Sequence, residues 1–574
     1  MKYENWDIIG FNREKAVDFL QNKINPLVSV FLASRGFSDI EEANSFIDKN
    51  SVVFYDPFLL TDMDKAVKVI KKAVKNKERI VIHGDYDVDG MTASVVLAKW
   101  LESQGADYDV HIPKRSVGVF GLSHDIIKEF DEKNYKLIIT VDCGITAKDE
   151  ALYARELGIK LVITDHHECR DELPMADAVI NPKRPDCTYP YKYLAGVGVA
   201  FKLACALEGD YLSDKIINKY IDYVAVGTVA DVMLLTGENR DLVKRGIDKI
   251  NNDPEPCFRY ILSSTNSEIT KVTSSTIGYV IAPRINAAGR MNQPKLSVDL
   301  MLTNDEEEAK VLAEKLDELN IERRNIETEI YDDAIMILGE DIPDSPIVIS
   351  SKKWDQGVTG IVATKIAERY RLPTVIISID KNGTGRGSCR SYGSYSIYDA
   401  LYLCKDLFDD FGGHDKAAGI TIPEKNIDKL REQLSAIYKK KSGEIHTETL
   451  EIDFEIEKPN ELLSIKNIKE LELLEPFGRG NQFPKAYIHR AKLISLQSIG
   501  NGKHSKLKIE KLYKNKQGKE EPFVMECVFF FAPTSELGVK EGDYIDVAFE
   551  PQINDFRGQS NIQLQLLDLR LSKG

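Results

Sequence analysis

The stretch ERIVIHGDYDVDG (residues 78–90) runs from a short β-branched segment into a loop with three aspartates in five positions and a closing glycine. A D-x-D-x-D-G loop is also how an EF-hand begins, but that loop needs a glutamate at its twelfth position, and here that position is Val96. An EF-hand loop also follows a helix, whereas ERIVI reads as a strand. The stretch is therefore read as the end of a buried strand followed by an acidic turn and the helix MTASVVLAKWL. This unit opens an α/β fold.

The segments around it fit that reading. RIVIH (79–83), KLIITVD (136–142), KLVITDH (160–166) and DAVIN (177–181) are short apolar runs alternating with helical stretches. Runs this apolar suit strands covered on both faces, and the alternation predicts a doubly wound parallel sheet. Residues 1–54 read as a helical lead-in, and 55–303 as the first α/β domain. NDEEEAKVLAEKLDELNIERRNIETEIYDDAIMIL (304–338) is periodic, free of Pro and Gly, and preceded by Thr303, which with Glu306 suggests a capping box. At ~1.5 Å per residue it would reach roughly 50 Å, long enough to join two domains. A second α/β segment follows at 339–447. Residues 448–574 read as short strands with turn signals such as GNGK, which predicts a small β-barrel.

The totals set limits. A chain of 574 residues exceeds one ordinary core, and 43% hydrophobic with 29% charged residues marks a globular protein. No apolar run approaches the ~18 residues of a membrane span, and MKYENWDIIG does not look like a secretory signal. Eight scattered cysteines without a CxxC pair fit reduced thiols in the cytoplasm. A net charge of −15 argues against coating nucleic acid by bulk attraction, but not against a local basic groove. Between Lys485 and Lys519 ten Lys/Arg face one acid, Glu510.

The acids fall where apolar runs end. Asp87 and Asp89 follow RIVIH, Asp142 ends KLIITV, Asp165, His166 and His167 end KLVIT, and Asp231 ends VAVGTVA (224–230). Singly, each has an ordinary reading as a helix cap, a surface histidine or a solvated turn. Together, four segments would deliver carboxylate or imidazole to one sheet edge, where ligands of doubly wound folds bind. So many acids in one crevice raise one another's pKa unless divalent cations are present. Asp and His donors without cysteine suit Mn²⁺ or Mg²⁺ better than structural zinc.

HGDYDVDG, VDCG, TDHH and GTVAD resemble the successive motifs of the DHH phosphoesterase superfamily, with DHH at 165–167 matching the motif that names it. The resemblance implies hydrolysis of phosphate esters with one or two divalent cations, two being expected here. It implies Asp87, Asp89, Asp142, His166 and Asp231 as metal ligands, with His83 a further candidate. His166, His167 and Asp89 are expected to take part in catalysis.

WDQGVTGIVATKIAERY (354–370), GRGSCRS (385–391) and FGGHDKAAG (411–419) resemble the DHH-associated domain of the same superfamily. That likeness implies Ser388, Arg390 and His414 as phosphate-gripping residues. Cys389 stands where relatives carry glycine, Thr359 replaces an aliphatic residue, and Phe120 stands where tyrosine is expected. APRINAAGRMN (282–292), the long helix, LEPFGRGNQFP (474–484) and the terminal barrel, similar to an OB-fold, narrow the likeness. They point to the bacterial single-strand-specific DNA exonucleases within the superfamily. That likeness implies removal of nucleotides from the 5′ end of single-stranded DNA in repair and recombination, with Arg284 and Arg290 lining the strand path. A single-strand-binding protein and a helicase are expected as partners, and a monomer as the state. An RNA exonuclease or nucleotide phosphatase, and an inert strand-binding scaffold, are the rival readings.

Overall fold

The computed structural model describes residues 3–48, 53–114, 121–170, 172–210, 213–265, 269–339, 344–441, 449–515, 517–556 and 559–573. Phe120, and Lys516 of the basic stretch, lie outside the described residues. The chain divides into two units. One comprises Met1–Ser51, Ile445–Glu475 and Gln482–Gly574, the other Val52–Glu444 with Pro476–Asn481.

The larger unit is built on a five-stranded parallel sheet. Its order is Tyr108–His111, Ile80–Gly84, Leu137–Val141, Lys160–Thr164, Ala178–Ile180. Alternation along each strand splits the side chains between two layers. Ile80, Ile82, Leu137, Ile139, Val141 and Val162 enter the larger core, while Val81, Ile138, Leu161 and Ile163 enter a smaller one on the other face. The chain goes from Ile80–Gly84 to the edge strand Tyr108–His111, then crosses back to Leu137–Val141 on the other side. The connections diverge between Ile80–Gly84 and Leu137–Val141, which makes the carboxyl ends of these two strands the crevice for a ligand.

One expected chain end is different. VAVGTVAD is not a strand: Asp214–Ala230 is one helix, capped by Ser213, and Asp231 is its C-cap. A short, wholly apolar run does not separate a buried strand from a buried helix by periodicity. Here the preceding residues extend the helix to 17, with Ile217 through Thr228 nearly all buried.

Glu306–Leu338 forms a single helix of 33 residues. Its N-cap is Asp305, whose side chain accepts from Glu308 N, and not Thr303 as the capping-box pattern suggested. Ala309, Ala313, Leu316 and Leu319 pack into the larger core of the parallel sheet. Further along, Ile330 and Ala334 pack into the core of a second sheet. That sheet has the order Asp410–His414, Ala417–Pro423, Thr384–Arg390, Thr374–Ile379, Ile347–Ser351, with only the last pair parallel. One amphipathic helix thus serves two cores.

In the smaller unit, Ala486–Ile499, His504–Lys514, Glu520–Phe529, Gln559–Leu571 and Tyr544–Phe556 pair in that order. Ala486–Ile499 also pairs with Tyr544–Phe556, which closes a five-stranded barrel. The first residues are not purely helical. Asn5–Ile8 is a strand, parallel to Thr449–Ile452, ahead of helices Arg13–Gln21, Pro26–Ser34 and Ile40–Ile47. The buried carboxylate of Asp568 accepts from Tyr3 N at 3.1 Å and Trp6 Nε1 at 3.0 Å. Trp6→Phe removes one donor from a buried charge while keeping an aromatic ring. It is expected to destabilise this unit by about 1.5–3 kcal/mol, read as a lower urea midpoint by circular dichroism. An unchanged midpoint would mean that the indole hydrogen bond to Asp568 adds nothing to stability.

Candidate metal centre

The acidic turn is shaped by a close chain crossing. Asp87 caps helix Val88–Ser103, its Oδ1 accepting from Gly90 N at 3.1 Å. A Cβ on Gly90 would lie 2.5–2.7 Å from the backbone of Asp85, so only glycine closes the turn. The turn directs Asp89 inward. Its Oδ2 accepts from Gly196 N at 2.7 Å and its Oδ1 from Val197 N at 2.8 Å, at the start of helix Gly196–Glu208. A helix N-terminus is where a buried carboxylate is best tolerated.

Asp142 follows Leu137–Val141 with φ +58°, a left-handed conformation that aspartate adopts more readily than most residues. This turn brings its carboxylate against Gly196, where a Cβ would meet Asp142 Oδ1 at 2.5 Å. The same glycine therefore provides an N–H to Asp89 and room for Asp142.

His166 lies between the carboxylates. Its Nε2 is 3.1 Å from Asp142, 3.6 Å from Asp231 and 3.8 Å from Asp89. Burial and the neighbouring His167 push its pKa down to about 3, so the ring is neutral at pH 7. Asp142 Oδ1 is buried and receives no hydrogen bond from any described residue. Burial, then Asp231 and Asp87, hold Asp89 well above the usual carboxylate range. Burial, then Asp89 and Asp87, do the same for Asp142. Burial and Asp87 push Asp231 up to about 7. These are oxygens and an imidazole nitrogen crowded together without enough protons or donors among them. That donor set fits a hard divalent cation. Among the described residues, three groups each have ligand atoms within 4.8 Å of one another: Asp85–Asp87–Asp142, Asp89–His166–Asp231 and Asp142–His166–His167.

Two residues were not assigned roles from sequence. Asp85 joins the first group; its signal was its place in the same triple-aspartate loop. Asp165 is a positioning residue. Its Oδ2 accepts from Ile145 N at 2.9 Å, while its Oδ1 accepts from His166 N at 2.7 Å and His167 N at 3.1 Å. The same Oδ1 meets His167 Nδ1 at 2.7 Å. Burial alone would lower the pKa of His167, but Asp165 raises it to about 9, leaving a half-exposed cation at the rim. Only the fold shows that the first letter of DHH orients the other two.

Other candidates fall elsewhere. His83 is buried with its Nδ1 2.9 Å from His111 Nδ1 and the two rings stacked, and it is in none of the three groups. Arg284, expected along a strand path, is instead buried. Its Nη2 pairs with Asp317 of the long helix at 2.8 Å and its Nη1 donates to Val280 O at 2.9 Å. An arginine near the start of a helix that packs on another helix finds its carboxylate there, which the sequence spacing does not show.

Arg290, Ser388 and Arg390 gather around helix Gln356–Tyr370. Arg290 Nη1 donates to Gly357 O at 3.1 Å. Ser388 Oγ is 3.0 Å from Thr359 Oγ1, and Arg390 Nε donates to Thr364 Oγ1 at 3.0 Å. Thr359 thus holds Ser388 through a hydroxyl that an aliphatic residue would lack. Strand alternation turns Cys389 to the opposite, buried face, away from Ser388 and Arg390. His414 is exposed at the end of an edge strand, its Nδ1 accepting from Lys416 N at 3.4 Å.

In the barrel, Phe529 is buried, Phe530 is half-exposed and Phe531 is 86% exposed beside His504. Among the described residues, no helix is long and apolar enough to cross a membrane.

Comparison with known proteins fits this anatomy. Residues 79–228 match the DHH family, N-terminal domain, residues 344–440 the DHHA1 domain, and residues 452–568 the RecJ OB domain. The single-stranded-DNA-specific exonuclease RecJ of Bacillus subtilis is 34% identical over 99% of this chain and 71% of that protein. The Escherichia coli protein of the same name is 31% identical over 95% of this chain and 96% of its own length. The chain belongs to the RecJ family. RecJ of Thermus thermophilus, crystallised with Mn²⁺, superposes with a TM-score of 0.83 at 26% identity. That match covers 99% of this chain and 80% of the Thermus chain. The same RecJ has also been solved with Mg²⁺.

The raised carboxylate pKa values make a linkage testable. In the metal-free protein these groups favour their protonated forms. Stability they support below the ordinary carboxylate range, near 4, is therefore lost as pH rises through about 7 for Asp231. Divalent cations compete with those protons. The rise in Tm on adding Mn²⁺ is expected to be larger at pH 8 than at pH 6, measured by differential scanning fluorimetry. An equal or smaller rise at pH 8 would separate the cation from these carboxylates.

Proposed function

We propose that this chain is a divalent-cation-dependent exonuclease that releases mononucleotides from the 5′ end of single-stranded DNA, in DNA repair and recombination. The observation that carries the reading is the gathering of His166 with Asp89, Asp142 and Asp231 beyond the carboxyl ends of the parallel strands. It occurs in a chain related over nearly its full length to single-stranded-DNA-specific exonucleases.

Asp87 and Asp142, with Asp85, are assigned to one cation position, and Asp89, His166 and Asp231 to a second. His83 enters the set only if its ring leaves His111. Mn²⁺ or Mg²⁺ bound there would lower the pKa of water and offset charge on the phosphate oxygens. The chain's residues do the rest. Asp165 holds His167 as a cation facing the site, where it attracts a phosphodiester. Asp89, fixed by two backbone N–H groups, keeps the helix start at Gly196 in register with the acidic loop. Arg290, Ser388 and Arg390 are assigned to the terminal phosphate, with Gly357, Thr359 and Thr364 setting their directions; His414 is assigned to the outer edge of that grip. Arg284 is assigned to holding the long helix.

Residues 55–303 and 339–447 are assigned to chemistry and substrate binding, 304–338 to their connection, and 448–574 to holding the strand through OB-fold contacts. The N-terminal segment, 1–54, supports the barrel. The enzyme is assigned to the cytoplasm as a monomer, acting with a helicase and a single-strand-binding protein.

End-labelled single-stranded DNA, duplex DNA and RNA, incubated with Mn²⁺ or Mg²⁺, test the assignment. Release of mononucleotides from the 5′ end of single-stranded DNA alone is expected. Preferred cleavage of RNA would favour a ribonuclease, and strand binding without cleavage an inert scaffold. Asp142→Ala and His166→Ala are expected to lower kcat by more than the ~10–100-fold typical of outer-shell changes, with the far-ultraviolet circular dichroism spectrum retained. Wild-type rates in either variant would refute the ligand assignment.

A further inference from the structure

LEPFGRGN (474–481) lies far along the chain from the acidic loop, yet the fold packs part of it against the segment that follows Asp231. Pro476–Asn481 belongs to the larger unit, although the chain on both sides belongs to the smaller one. The segment is bound to Leu234–Thr236, a few residues beyond Asp231. Leu235 N donates to Arg479 O at 2.7 Å. A Cβ on Gly478 would lie 2.7 Å from Leu235 Cδ1, and one on Gly480 would lie 3.1 Å from Leu234 Cδ2 and Thr236 Cγ2. Gly480 also has φ +81°. Gly480 is therefore favoured by its conformation, and both glycines leave room for the two segments to pack closely.

The loop is rigid from within as well. Gly478 N donates to Asn481 O at 2.9 Å and Asn481 N to Gly478 O at 3.1 Å. Asn481 Nδ2 donates to Pro476 O at 2.8 Å, and Ser274 Oγ to Phe477 O at 2.6 Å. At the tip of this clamped loop Arg479 is exposed, and its guanidinium makes no hydrogen bond or ion pair with any described residue.

The positive charges nearest in effect to the Asp231 carboxyl include His167, Lys183 and Arg479. His167 is held by Asp165 at 2.7 Å and Lys183 by Glu168 at 2.9 Å. Arg479 has no such carboxylate among the described residues. A fixed backbone carrying an uncommitted guanidinium beside a crevice for phosphodiesters is a phosphate-binding arrangement, since the planar fork matches two phosphate oxygens.

Building on the exonuclease reading, we propose that Arg479 is a substrate-binding residue that grips a backbone phosphate of the DNA strand next to Asp231. The catalytic crevice is thus completed by a residue from the C-terminal quarter of the chain. Glycines on both sides and the Asn481 bridge exist to present it.

The test uses the full-length enzyme with Mn²⁺ and a single-stranded oligonucleotide. Arg479→Ala is expected to lower kcat/KM by roughly 10- to 100-fold, the range for a lost charged hydrogen-bonding pair, mainly through KM. Arg479→Lys, which keeps the charge but not the fork, is expected to fall between. The decisive readout is salt. Loss of one phosphate contact reduces the slope of log(kcat/KM) against log[salt] by about 0.7 on single strands, which a structural role would not do. The Mn²⁺ half-saturation concentration and Tm of Arg479→Ala should match the wild type. An unchanged salt slope, or a shift in Mn²⁺ dependence in place of one in KM, would overturn the proposal, the latter by showing that Arg479 acts on Asp231. Failure of the wild type to degrade single-stranded DNA would instead overturn the exonuclease reading itself.

Discussion

Mutual repulsion of buried carboxylates at one sheet edge is the constraint on which the structure depends. The chain meets part of it with its own dipoles. Asp89 receives two N–H groups from the start of helix Gly196–Glu208, Asp87 receives Gly90 N–H, and Asp165 receives three N–H groups and the His167 ring. Asp142 receives none from the described residues at its buried Oδ1, which lies 3.1 Å from His166 Nε2. The unmet charge is concentrated where the donor atoms converge, which is what a cation requires of a protein.

Local geometry follows from that concentration. Gly90 and Gly196 stand where a methyl group would strike Asp85 backbone or the Asp142 carboxylate, and Asp142 itself occupies a left-handed conformation. These positions are close approaches forced by packing several acids and two imidazoles into one crevice. Asp165 shows the same economy: one buried carboxylate fixes the directions of both neighbouring histidines and makes one of them a cation.

Larger features bring distant chain segments to this crevice. Glu306–Leu338 gives its first turns to one core and its later turns to another, so the grip around Gln356–Tyr370 is carried on the same rod as the acidic centre. Arg290 to Gly357 O is a direct bond between the two parts. Pro476–Asn481 adds a third contribution, from much further along the chain.

The sequence by itself determined the alternating parallel sheet, the long helix, the closing barrel and most of the acidic donors, because strand burial, helical periodicity and acids at the ends of apolar runs are written in local order. Family likeness supplied the roles that local order lacks. Only the tertiary structure decided that Asp231 leaves a helix and not a strand, and that Arg284 is turned inward to Asp317. It also paired His83 with His111, set Asp165 beneath the histidines, and bound the backbone of Arg479 to Leu235. Most of these depend on a partner far away along the chain, and the rest on a local turn or on a helix whose apolar end alone looks like a strand. Spacing along the chain does not encode which distant atom a side chain will meet; packing does.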